Sequence, residues 1–362
     1  MRWERRRARL LKTFSGRLFL GLLAAGYGAV LLARDILYAL RVFKPRRAPA
    51  KVVCIGNITT GGTGKTPATI LAALTLRRRD QAVAILSRGY GRPEKSSDIC
   101  VLHDDTKMDW KRCGDEPWMM HQRLKGQGVP ILVSPDRAGA AAQAVTFFNS
   151  QVVILDDGFQ HRRLARDLDV VLVDALDPFG GRRLLPLGNL REPLRALRRA
   201  GLIMLTHVDL AQESQLAALR EEIHRVNPRA PLLEAVHRPD FLLDVKNESK
   251  HRFDHFKDRP AASLSGIASP AQFEASLQNN GVALAQRWRY PDHHRYTRRE
   301  LSSIAHLLSG LPLVTTFKDL VRFPSDWRDL LPGTVYALGI KLDIVKGKNI
   351  WIDTLIELSG QK

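Results

Sequence analysis

Residues 61–66, GGTGKT, set three glycines beside a lysine and a hydroxyl three residues after the apolar run VVCIGN at 52–57. A glycine turn between a strand and a helix points successive backbone N–H groups at one spot and makes an anion site at the helix N-terminus. Lysine adds a mobile positive charge there, and the next hydroxyl ligates Mg²⁺. The candidate phosphate-binding set is therefore Thr59, Thr60, Gly61, Gly62, Thr63, Gly64, Lys65 and Thr66. The strict P-loop spacing asks for glycine where this chain has Thr59. A second candidate lies in QVVILDD at 151–157, where Asp156 and Asp157 end an apolar run. Two adjacent carboxylates are costly to hold together unless a cation neutralises them. They read as Mg²⁺ ligands, direct or through water, alongside Thr66. The bland readings are a glycine turn with an incidental lysine and a solvated acidic turn. Taken together the two motifs describe a nucleoside-triphosphate site.

The elements around these motifs alternate. KVVCIGN, QAVAILSRGYG, VPILVSP, QVVILDDG, LDVVLVDA and AGLIMLTHVDL read as strands, and PATILAALTLRRR and AGAAAQAVTFFN as helices between them. Short apolar runs separated by helices predict a mainly parallel sheet covered on both faces, a doubly wound α/β fold of the P-loop kind. The expected layout is a basic, apolar N-terminal membrane-associated helix at 1–47, a P-loop core at 48–235, a linker at 236–258 that can form a β-hairpin, and a smaller C-terminal α/β substructure at 259–362.

The chain has 362 residues and a formal charge of +19. Residues 1–47 hold twelve Lys or Arg against Glu4 and Asp35, more than half of the excess. These basic residues bracket an uncharged run at 18–33. That arrangement suits anionic lipid, whereas a nucleic-acid binder more often spreads its charge over a folded face. Sixteen residues span roughly 24 Å, short of the roughly 30 Å hydrocarbon core. A membrane anchor, spanning or lying in the interface, is the main reading; a cleaved signal and a buried core helix are the alternatives. The three cysteines show no metal or redox spacing, as expected of a protein in a reducing compartment.

Several blocks together resemble the tetraacyldisaccharide 4'-kinase family of lipid A biosynthesis: GNITTGGTGKTP (56–67), LSRGYGR (86–92), GDEP (114–117), DDGFQH (156–161), LPLGNLREP (185–193) and DHH (292–294). The resemblance implies ATP and Mg²⁺ as cofactors. It implies a glycolipid substrate, the tetraacylated glucosamine disaccharide 1-phosphate, phosphorylated on its 4'-hydroxyl at the cytoplasmic face of a Gram-negative inner membrane. Contact with inner-membrane lipids follows, with no nucleic acid and no obligate protein partner. Asp115 of GDEP becomes the candidate base, Lys65 the catalytic cation, and His293 the histidine that pairs with the aspartate, with His294 as its rival. Helix capping is the bland reading of Asp115. Arg88, Arg137 and Arg191 are candidate contacts for the anionic substrate, and His161 falls at the periphery. Two departures stand out: SGIAS (265–269) replaces a Gly-Ile-Gly-Asn turn, and Phe317 occupies a usually acidic position.

A partitioning-type membrane switch ATPase also carries a GGxGKT loop. It would have a lysine where this chain has Thr60, and its membrane helix is usually C-terminal.

Overall fold

The computed structural model describes residues 2–89, 98–104, 110–267 and 269–360. Tyr90, Gly91 and Arg92 of the LSRGYGR block, and Ala268 of SGIAS, lie outside the described residues. The chain forms two compact units, one from Met1–His237 with Leu342–Lys362 and the other from Arg238–Lys341.

In the first unit the strands are β1 (Lys51–Asn57), β2 (Val83–Ser87), β3 (Cys100–Leu102), β4 (Ile131–Val133), β5 (Val152–Asp156), β6 (Leu168–Asp174), β7 (Leu202–Thr206) and the start of β8 (Leu232–Asp244). They lie in the order β8-β7-β6-β1-β5-β2-β4-β3, parallel except for β3 at the edge. Alternate residues feed two cores. Val53, Ile55, Ile85, Ile154 and Leu172 face one side; Cys54, Ala84, Leu86, Leu155 and Val173 face the other. Both faces being covered explains why each strand is an unbroken apolar run. β1 lies between β5 and β6, so the chain's order reverses around it, and the crevice beyond such strand ends is where ligands bind in open α/β sheets.

Two helices precede this sheet, Arg2–Leu10 and Phe14–Ala39. The second has 26 residues, roughly 39 Å at about 1.5 Å per residue, longer than the apolar run alone suggested. It runs on through Arg34 and Asp35, both ion-paired, Arg34 to Glu192 at 3.0 Å and Asp35 to Arg162 at 2.8 Å. Its length and composition are sufficient to cross a membrane, and Phe14, Leu22 and Val30 are exposed.

The second unit starts in the later part of β8, which forms an antiparallel hairpin with β9 (Ser249–His251). The strands β10 (Ala261–Ser265), β11 (Leu284–Arg289), β12 (Leu313–Thr316) and β13 (Val335–Lys346) then run parallel in the order β11-β10-β12-β13. Helices Pro270–Gln278 and Arg298–Leu308 accompany them. Leu242, Phe256, Phe273, Leu277, Val314 and Tyr336 make a core of their own.

The unit boundaries differ from the sequence layout at the C-terminal end. The expected substructure at 259–362 stops short, because residues from Leu342 on belong to the first unit. Helix Lys348–Ser359 inserts Trp351 and Leu355 into the same core as Val53 and Ala68, and the Trp351 indole donates to Thr75 Oγ1 at 3.1 Å. An amphipathic helix declares that one face will be buried, but not against which sheet.

Candidate active site

β1 ends at Asn57, and helix Lys65–Arg77 begins as soon as the glycine turn closes. Gly61 and Gly64 have φ of 122° and 86°, left-handed conformations that an L side chain resists. The turn is held from both sides. Asn57 Nδ2 donates to Thr63 Oγ1 at 3.0 Å, and Thr206 Oγ1 at the end of β7 donates to the Thr63 carbonyl at 3.2 Å. Thr59 bridges to Leu190, and Thr60 N donates to Asn189 O at 2.8 Å, tying the front of the turn to the LPLGN segment. Thr59, where the strict motif wants glycine, is thus buried and paired in a short antiparallel bridge. Gly61 and Gly62 remain exposed, and Lys65 Nζ folds back to the Gly61 carbonyl at 3.3 Å.

The acidic pair sits beside this loop. Gly56 is the enabling residue, since a Cβ there would lie 2.5 Å from Phe159 Cβ. Its absence lets the DDGF turn close against β1, where Gly158 N donates to Ile55 O at 3.1 Å. Asp156 is 2% exposed and accepts from Thr69 Oγ1 at 3.1 Å. Burial, and then the charge of Asp157, push its carboxyl up to about 6. Asp157 adopts φ 49°, which turns it away from its neighbour to meet Lys65 Nζ at 3.8 Å and Arg191 Nη1 at 2.9 Å. Lys65 and Asp157 therefore face one another across the same loop.

Asp115 opens helix Asp115–Leu124 behind Gly114, and its Oδ1 accepts from Glu116 N at 3.0 Å. The cap position itself belongs to Gly114, so Asp115 is not a side-chain N-cap. Glu116 was not singled out from sequence. Protein crowding around its carboxyl, followed by the charges of Asp156 and Asp115, pushes it up to about 7, although part of its side chain meets solvent. Its electrostatic neighbours place it with the acidic pair and Lys65. GDEP offered that signal, an acid next to an acid.

The three arginines have different surroundings. Arg88 is exposed just beyond β2. Arg137 is 3% exposed; its guanidinium donates to Ser134 O at 2.9 Å, and Nε has no partner among the described residues. Burial pushes it down to about 10 against the pull of Asp156, with Arg88 adding to the fall. Arg191 reaches the acidic pair: its Nη1 lies 2.9 and 3.1 Å from the two oxygens of Asp157. Sequence spacing gave no sign of that contact. His161 is held neutral by burial and by Arg137, Arg163 and other arginines, which push it down to about 4.

Arg191 also touches the N-terminal helix, because Tyr27 OH donates to its carbonyl at 2.8 Å. The next residue, Glu192, is 0% exposed and is gripped by Arg34 at 3.0 Å and Arg199 at 2.7 Å. Arg7 donates to Pro186 O, Gly188 O and Asn189 Oδ1 at 2.6–2.9 Å. The 185–193 block thus carries the docking site of the N-terminal helix on one side and the P-loop brace on the other.

His293 and His294 belong to the second unit. His294 stacks on Tyr290 with ring centroids 4.5 Å apart and pairs with Glu300 at 3.1 Å, the residue that completes the cap of helix Arg298–Leu308. His293 is exposed, with φ 62°. Phe317 starts a short helix, and two residues on, Asp319 is buried.

Among the described residues no three His, Cys, Asp or Glu side chains converge as a metal centre. Magnesium rarely asks for one, being held by one or two carboxylates together with substrate phosphates. The donors here, the hydroxyl of Thr66 and the carboxylates of Asp156 and Asp157, are all hard oxygens, and a buried carboxylate pushed up to about 6 is one whose ionised form calls for a cation. In donor chemistry these candidates suit the ion.

A glycine loop at the end of the central parallel strand, with a facing lysine and aspartate, defines a P-loop nucleotide-binding protein of the doubly wound α/β class. Comparison with known proteins narrows this. The LpxK family, described as tetraacyldisaccharide-1-P 4'-kinase, matches residues 16–357. The tetraacyldisaccharide 4'-kinase of Elusimicrobium minutum is 44% identical, over 95% of this chain and 92% of its own length. That of Anaeromyxobacter dehalogenans is 41% identical, over 95% and 89%. The crystal structure of an "apo" form of LpxK from Aquifex aeolicus in complex with ATP superimposes with a TM-score of 0.73 at 30% identity, covering 95% of this chain and 99% of that one. The chain belongs to the tetraacyldisaccharide-1-P 4'-kinase family, which disfavours the partitioning-ATPase reading.

Proposed function

We propose that the protein is an ATP-dependent kinase that transfers the γ-phosphoryl group to the 4'-hydroxyl of a tetraacylated glucosamine disaccharide 1-phosphate. The observation that carries this reading is the apposition of Lys65 and Asp157 across the glycine loop, in a chain of this family. The N–H groups of residues 61–66 cradle the phosphates, and Lys65 follows the charge that gathers on the transferring group. Thr66, Asp156 and Asp157 would hold magnesium, which when bound would neutralise charge on phosphate oxygens. Asp115 accepts the proton of the sugar hydroxyl, with His293 as its partner in the reaction. Arg88, Arg137 and Arg191 bind anionic groups; the unpartnered Nε of buried Arg137 supports this for one of them. The N-terminal helix, apolar and flanked by arginines, holds the enzyme to the cytoplasmic face of the inner membrane, where such a lipid is met.

The test is mass spectrometry of the lipid after incubation with ATP and Mg²⁺. A product heavier by one phosphate group, lost on removal of the metal, is expected. Unaltered lipid from a folded, ATP-binding preparation would overturn the proposal.

A further inference from the structure

We propose that Arg322 sets the tautomer of His293, placing the ring proton on Nε2 so that the imidazole presents a hydrogen-bond donor outward. The functional meaning of this lock rests on the reading of His293 as the partner of Asp115.

Arg322 Nη2 lies 3.1 Å from His293 Nδ1. A guanidinium offers five N–H donors and no acceptor, and it does not deprotonate in proteins. The contact is a hydrogen bond only if Nδ1 is the accepting nitrogen, which leaves the proton on Nε2. The arginine is in turn anchored. Its Nη1 donates to the Gly266 carbonyl at 2.8 Å and lies 3.5 Å from Asp319 Oδ1. Asp319 is 0% exposed and accepts from Gly266 N at 3.0 Å, Tyr296 OH at 3.1 Å and Thr316 Oγ1 at 2.7 Å. The histidine is anchored by the same group: His293 N donates to Gly266 O at 3.1 Å and to Asp292 Oδ1 at 2.8 Å. A left-handed φ of 62° is uncommon for a residue with a side chain and persists where its surroundings impose it.

On the opposite side of the ring, Nε2 lies 3.7 Å from Asp292 Oδ2, beyond hydrogen-bond distance, so a proton there stays available to another acceptor. The donor-only group at Nδ1 selects the Nε2–H form. Which ring nitrogen carries the proton is set by what the other one bonds. Presenting N–H, His293 orients a carboxylate and stabilises its charge, and the task of taking the hydroxyl proton stays with that carboxylate. Arg322 is thus a positioning residue that acts through His293.

The full chain in detergent micelles, labelled with ¹⁵N-histidine, tests this, with the His293 signals assigned by their loss in His293→Gln. At neutral pH the wild type should show an acceptor-type shift at Nδ1 and an N–H-type shift at Nε2. Arg322→Met should release the preference into a mixture, and Arg322→Lys, whose ammonium also only donates, should restore it. In turnover, Arg322→Met should lower kcat about ten-fold with KM for ATP unchanged, the scale of a misoriented group. The same change in a His293→Ala background should have no further effect. A wild-type Nδ1–H form, or a spectrum indifferent to Arg322→Met, would overturn the proposal, as would a full ten-fold loss in the His293→Ala background. If the tautomer follows Arg322 while His293→Ala turns over like wild type, the lock stands and the pairing with Asp115 falls.

Discussion

Asp156 and Asp157 are neighbours in sequence with opposite surroundings. One is buried against Thr69; the other turns through a left-handed backbone to meet Lys65 and Arg191. The apolar run and the motif spacing marked Lys65 and both aspartates as candidates, and the structure sets Lys65 beside Asp157. The Arg191 contact was not legible in the sequence, because it comes from a loop 34 residues away and no local pattern encodes such a meeting. At this scale Asp115→Ala should lower kcat by about 10²–10⁴, the range for loss of a general base. Lys65→Ala should lower it by about 10²–10³, as for a lost charge-stabilising donor. Steady-state kinetics with the lipid acceptor reads both, and wild-type turnover in either variant would remove that residue from the chemistry. His161 supplies a pH dependence of stability. Its folded value of about 4 lies below the ordinary histidine range, so the fold favours the neutral ring. That contribution is complete above about pH 6.5 and is lost as the pH falls from there toward 4. Thermal melts across that window should slope less steeply for His161→Gln, and identical slopes would refute the assignment.

The element that departs most from a simple reading is helix Phe14–Ala39. Its composition announced an anchor, but composition has no means of revealing that Arg34 reaches a fully buried Glu192 or that Tyr27 holds the backbone of Arg191. The block LPLGNLREP offered one candidate substrate contact, Arg191; in the structure the block braces the P-loop and seats the helix. Arg34→Ala removes one of two partners of a buried carboxylate and should cost about 1–3 kcal/mol. Denaturant titration measures this, and Arg34→Lys should recover part of it. Loss of binding to anionic vesicles is expected when residues 1–39 are deleted, and undiminished binding would place the membrane contact elsewhere.

Over the whole molecule, the mainly parallel sheet was legible because buried strands are written as uninterrupted apolar runs between helices. The return of the chain to the first unit was not, since it depends on which of two cores offers a hole for Trp351. With that residue 1% exposed and its indole bonded to Thr75, Trp351→Ala should cost about 3–5 kcal/mol. That is a large fraction of the roughly 5–15 kcal/mol typical of a domain. Denaturation followed by circular dichroism checks it, and a loss below about 1 kcal/mol would show the helix to be dispensable to that core. Domains made at the start of a chain generally fold while the ribosome is still at work. Here the nucleotide-binding half draws its last wall from residues near 350, so its core stays incomplete until those residues have been made.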